Sequence, residues 1–107
     1  MQELYENARN YFEEGQKQAN NGQLRASCDY YQKSLDDLSA LKPSKMRDSL
    51  IARVYLARYQ ASKDFRGPLA QKDLRFGYSY AKTCKEPIVQ AVAEEYWHEV
   101  LANRDKD

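Results

Sequence analysis

The sequence predicts an all-α fold of five antiparallel helices, and three observations carry that prediction. Apolar residues return every three or four positions along most of the chain. Good helix formers (Ala, Leu, Gln, Lys, Arg and Glu) fill it, while glycine and proline number only 4 and 3 in 107 residues. No segment alternates apolar and polar residues as a half-buried strand does.

The first apolar row is Leu4, Ala8, Tyr11 or Phe12, Gly15 and Ala19. Asn20-Asn21-Gly22 ends it with residues that tolerate the left-handed conformation of a helix C-terminus. A second row, Leu24, Ser27 or Cys28, Tyr31, Leu35 and Leu38, stops at Leu41-Lys42-Pro43-Ser44. There Pro43 disfavours helical geometry at Lys42, and Ser44 is placed to cap the next helix. The third row is Met46, Leu50, Val54, Ala57 and Ala61. Asp64 to Pro68 makes a turn, with Gly67 as its flexible point and Pro68 suited to a first helical position. Leu69 or Ala70, Leu74, Gly77 or Tyr78, and Ala81 form the fourth row. The fifth begins near Pro87 and carries Ile88, Val92, Tyr96 and Val100, with a polar end at Asn103–Asp107 expected to fray. Short connections make neighbouring helices antiparallel. Residues 1–107 read as a single domain: a first hairpin over 2–41, a second over 44–84 and a closing helix over 87–103.

Composition narrows the class further. With 42% hydrophobic and 31% charged residues, the chain belongs with folded proteins. No apolar stretch approaches the roughly 18 residues of a membrane span. The opening residues Met1 to Glu6 lack the basic and apolar regions of a signal peptide, so the expected compartment is the cytoplasm. Cys28 and Cys84 have no CxxC spacing and are expected as free thiols. Charge is uneven: residues 1–41 carry 4 basic and 7 acidic groups (−3), residues 42–85 carry 11 and 3 (+8), and residues 86–107 carry 2 and 6 (−4).

The series Tyr11, Gly15, Gly22, Ser27, Tyr31, Ser34 resembles a tetratricopeptide repeat. That family spaces an aromatic, a small residue and a turn glycine in this way, then a small residue, an aromatic and another small residue. Asp29-Tyr30-Tyr31-Gln32-Lys33-Ser34-Leu35 is also similar to the family's second helix. Glu14, Gln18 and Ser39 stand where the family prefers Leu, Tyr and Pro. Residues 43–84 follow the pattern more loosely, with Ala57, Ala70, Leu74 and Gly77 placed on it through an altered turn. Residues 87–103 resemble the helix that covers the last apolar face of such arrays. A three-helix trafficking module of the microtubule-interacting type has similar hairpins and stays open as a second resemblance.

The tetratricopeptide resemblance implies a right-handed α-α superhelix of two hairpins plus a capping helix, with the first helix of each pair lining an inner, partner-binding surface. Carried across residue by residue, the inner positions are Arg9, Phe12, Gln16 and Ala19, then Ile51, Val54 or Tyr55, and Arg58. Family members that clamp a C-terminal carboxylate use Lys and Asn where this chain has Phe12 and Gln16, so a chaperone-tail receptor is not expected. The basic middle sets Arg47, Arg53, Arg58, Arg66 and Arg75 among Tyr55 and Tyr59. Arg and Tyr anchor interfaces. That segment reads either as a site for an acidic partner or as a solvated face paired with the acidic terminal helices. The expected partner-binding set is therefore Arg9, Phe12, Gln16, Arg47, Ile51, Tyr55 and Arg58.

Nucleic-acid binding is disfavoured by the acidic flanks and the lack of a known motif. Nine tyrosines point to hairpin packing with hydroxyls at the rim, or to a partner face. Tyr96 and Trp97 are adjacent on one helix and cannot both face the core, which points to self-association or a docking surface. Neither catalytic residues, nor a metal, nor a cofactor is expected. His98 beside Glu94, Glu95 and Glu99 is the one histidine, no glycine loop cradles phosphate, and neither cysteine has a sequence-evident base. The functional expectation is a non-enzymatic adaptor, chaperone-like or assembly factor that binds a protein or peptide partner. The alternative is a small structural or self-associating subunit, a homodimer included.

Overall fold

The computed structural model describes residues 2–105; the last two residues of the polar end expected to fray lie outside them. Five helices follow in order: α1 (Gln2–Asn20), α2 (Leu24–Ser39), α3 (Lys45–Ser62), α4 (Pro68–Cys84) and α5 (Pro87–Asp105). There is no strand among the described residues. The turns follow local chemistry. Gly22 takes φ 81° after α1, where a side chain would be strained. The Ser44 side chain accepts a 3.1 Å hydrogen bond from the Arg47 amide, capping α3. Pro68 and Pro87 open α4 and α5, where a missing N–H costs nothing. Lys85 closes α4 with φ 57°, an unusual position for a residue with a Cβ.

The helices form two layers. α3 runs beside both α1 and α5, while α2 packs on α1 and α3, and α4 packs on α3 and α5. The chain measures 46 × 30 × 20 Å. No helix is long and apolar enough to cross a membrane, among the described residues.

Small side chains set the helix separations. A Cβ on Gly15 would stand 2.5 Å from Tyr31 Cε1 and 3.2 Å from the Ser27 carbonyl oxygen. Ser27 and Ser34 are fully buried, and Ser34 Oγ donates to the Ala8 carbonyl at 2.7 Å across the hairpin. The second hairpin has its own close approach: a Cβ on Gly77 would stand 2.8 Å from Leu56 Cδ2 and 3.3 Å from the Leu56 nitrogen. Where a row offered two residues, the buried ones are Phe12, Ser27, Ala70 and Gly77.

Two apolar clusters result. Ala8, Phe12, Tyr31, Leu35, Leu38, Leu50 and Val54 join α1, α2 and α3; Leu56, Tyr59, Leu74, Ala81, Val89 and Ala93 join α3, α4 and α5. The expected row of α5 needs correction at its first member. Ile88 is 77% exposed, whereas Val89 and Ala93 are buried. Val92, Tyr96 and Val100 keep the expected row, half-buried against the second cluster, so only its first member turns outward. Met46, placed on the α3 row by spacing, is also exposed.

Candidate partner-binding groove

α1 and α3 enclose a groove along their shared face. One part, of about 310 Å³, is lined by Tyr5, Arg9, Phe12, Gln16, Leu50 and Arg53, with Glu13 and Glu86 at its edge. A second part, of about 570 Å³, continues from Gln16 along Ala19, Asn20, Ala57, Gln60 and Tyr96. Its position follows from the sequence of α1. Phe12 is the buried floor, and Arg9 and Gln16, three and four residues away, rise beside it on the same face.

The two parts differ in chemistry. The first is charged. Arg53 Nη2 lies 3.2 Å from Glu86 Oε2 in a partly exposed pair, which leaves Arg9 and Glu13 beside it. The second carries no charged side chain: it combines the amides of Gln16, Asn20 and Gln60 with alanines and two tyrosines, Tyr31 and Tyr96. Burial pushes the Tyr31 hydroxyl up to about 12, with the Cys28 thiol adding a smaller push. Burial also raises Tyr96, helped by Glu95 and Glu99, so both hydroxyls stay protonated near neutrality.

The α1 residues expected at the groove, Arg9, Phe12, Gln16 and Ala19, all line it. The α3 residues do not, and the displacement is systematic. The groove row of α3 is Met46, Ser49, Leu50, Arg53, Ala57 and Gln60. Arg47, Ile51, Tyr55 and Arg58 fall outside the residues lining either part, Ile51 and Arg58 each one position past a lining residue. Arg47 Nη1 donates to the Leu41 carbonyl at 2.8 Å, which ties it to the α2–α3 connection. Ile51 is buried in the core. Tyr55 turns to α4, stacking on Tyr80 at 6.2 Å and packing on Phe76 at 5.3 Å.

Arg58 is the largest correction. It is 9% exposed and is committed inside the protein, not offered to a partner. Its Nε and Nη2 donate to both carboxylate oxygens of buried Asp73, at 3.0 and 2.9 Å, and its Nη1 donates to Gln32 Oε1 at 2.6 Å. Arg66 Nη1 adds a third bond to Asp73 at 2.6 Å. Gln32, on α2, donates to Asp36, so the set ties the first hairpin to the second. The bidentate geometry matches the guanidinium fork to a carboxylate.

Burial pushes the Cys28 thiol up, against weaker downward pulls from Arg66 and Arg58. Cys84 is buried and donates to the Ala81 carbonyl at 3.4 Å. His98 Nε2 lies 3.4 Å from Glu94 Oε2 on the exposed side of α5. Among the described residues, no three of His, Cys, Asp and Glu are gathered as metal ligands. Compared with protein families, with curated proteins and with solved structures, the chain matches none.

Proposed function

We propose that this chain is a tetratricopeptide-like interaction module, without catalytic activity, that binds an extended segment of a protein partner along the α1/α3 groove. The observation that carries the reading is the groove itself: a channel floored by Phe12 and Ala19 and edged by the amides of Gln16, Asn20 and Gln60. Side-chain amides both donate and accept hydrogen bonds, which suits the free N–H and C=O groups of an extended backbone. The family reading draws support from the close contact at Gly15, Ser27 and Tyr31, the positions that carry the resemblance. The acidic partner expected from the basic middle narrows to a single feature. Arg53 is paired with Glu86, and Arg58 with Asp73, so Arg9 is the groove cation left to take a carboxylate. Two free cysteines fit a reducing compartment, and we place the protein's work in the cytoplasm on that ground.

A peptide-display selection on the purified chain tests this reading, with counter-selection on a Gln16→Arg, Gln60→Arg variant. Both glutamines are exposed, so the variant keeps its fold within about 0.5 kcal/mol. Enrichment of a common sequence that the variant no longer holds supports the groove. Enrichment that the variant retains, or none at all, removes it.

A further inference from the structure

We infer that a second copy of this chain docks on the α4/α5 face, about a two-fold axis running parallel to the two helices. Three observations meet there. First, α5 is apolar over more of its circumference than α3 and α4 cover. Leu101 is 39% exposed, Ala91 is exposed, and Trp97 is half-buried beside Tyr78 at 5.5 Å, all on the side of α5 that borders α4. A helix apolar on several sides is built to be covered on several sides. Second, a groove of about 420 Å³ runs between the two helices over the small side chains Ala81, Ala91 and Ala93, edged by Tyr78, Lys82 and Glu94. Small residues let a further helix approach closely. Third, the two rims carry opposite charge. Lys82 edges the groove from α4 and Glu94 from α5, and both are exposed.

The charges decide the occupant. Stacking another copy's α5 on α5 would set carboxylates against carboxylates. Rotation about an axis parallel to the helices instead carries each α5 over the other copy's α4 and leaves every residue at its original height. Glu94 stands level with Tyr78, to which it is bonded at 2.6 Å, and Lys82 lies one turn further along, 4.8 Å from the same ring. Glu94 of each copy therefore meets Lys82 of the other, twice over, as a self-complementary interface requires. The four helices form an antiparallel bundle. Helices of 17 and 19 residues are about 25 Å long and lie about 10 Å apart. Such a face sits at the low end of stable interfaces, near 600–800 Å² per copy, so the dimer forms at micromolar rather than nanomolar concentration.

Sedimentation equilibrium from about 1 µM to about 1 mM reads the outcome, with circular dichroism confirming that each variant folds. The wild-type mass should rise from 12.5 kDa to twice that value. Glu94→Lys alone and Lys82→Glu alone should each raise the dissociation constant about tenfold or more, because each sets like charges together twice. An equimolar mixture of the two variants should dimerise as the wild type does. In the mixed pair, one contact is native and the other is its reverse. A wild-type chain that stays monomeric throughout overturns the proposal. So does a dimer indifferent to both variants, or a mixture that fails to recover. The last result would show that Glu94 and Lys82 do not face each other between copies.

Discussion

Two glycines in the first hairpin are needed for different physical reasons, and substitution separates them. At Gly15 the constraint is space, since an added Cβ meets Tyr31, which is 2% exposed and has no room to retreat. Overpacking costs about 1–3 kcal/mol, while alanine's better helix propensity returns up to about 1. Gly15→Ala should therefore lower stability by about 1–2 kcal/mol in a denaturant titration, with an unchanged slope. At Gly22 nothing lies within 4 Å, and the constraint is φ 81°. Gly22→Ala should cost about 1 kcal/mol, and Gly22→Asn less, because asparagine tolerates that region. The same buried tyrosine sets a limit at alkaline pH. Its hydroxyl is raised to about 12 in the fold, against 10 in the unfolded chain. Below pH 10 both states are protonated and Tyr31 contributes no pH dependence. Above it the unfolded chain ionises first, so stability falls as pH rises from 10 to 12, by on the order of 2–3 kcal/mol. Denaturant midpoints at pH 9 and 11.5 should show the loss, and Tyr31→Phe should reduce it, leaving the part that comes from Tyr55, Tyr59 and Tyr96, whose hydroxyls burial also raises. Residue spacing made Gly15, Ser27 and Tyr31 legible, because only small side chains permit that contact. Arg58 was legible in principle: it lies four residues after Val54 on a buried row, and Asp73 lies three after Ala70 on another. Opposite charges on two facing apolar rows are the signal of an internal pair. Counting net charge by segment hid it.

Helix ends and helix faces differed in how much the sequence said about them. The ends were readable, since Ser44, Pro68 and Pro87 act within one turn of their own positions. Lys85 is the exception: it ends α4 in the left-handed region without glycine's freedom. Lys85→Gly should raise stability by about 0.5–1 kcal/mol, read as a higher midpoint in thermal unfolding. The face of α3 was not readable, and that of α5 was readable except at its start. α3 is packed by α1, α2, α4 and α5, so apolar residues occur around most of it and spacing assigns no register. The carried-over positions Ile51 and Arg58 accordingly fall one residue past the groove row. On α5 the expected row holds at Val92, Tyr96 and Val100 but not at Ile88, whose place Val89 takes, and substitution separates those two. Val89→Ala should cost about 2 kcal/mol, while Ile88→Ala should stay within about 0.5. Equal effects would mean that α5 is rotated from the register described.

The two hairpins could in principle fold separately, and the Asp73 carboxylate is what argues that they do not. It holds Arg58 and Arg66 on its own hairpin, and through Arg58 it engages Gln32 on α2. Asp73, Arg58 and Arg66 have side chains 4%, 10% and 21% exposed, so removing the carboxylate strands at least one guanidinium with little water to take its place. Breaking a buried pair from one side costs about 3–5 kcal/mol. A domain of this size holds about 5–15 kcal/mol in total, so Asp73→Ala should bring the chain close to half-unfolding at moderate temperature. Removing both partners is a different experiment. In Arg58→Met, Asp73→Leu, apolar side chains of similar volume replace the pair, and Arg66, the most exposed member, turns to solvent. Much of the loss should then be recovered, because the cost lies in stranding a charge, not in lacking one. The double variant also loses the bond from Arg58 to Gln32, the link between hairpins. Its midpoint in urea should return toward that of the wild type, while amide exchange in α2 becomes faster relative to α4. Equal exchange in the two helices would show that the apolar contacts of α2 with α3 couple the hairpins by themselves.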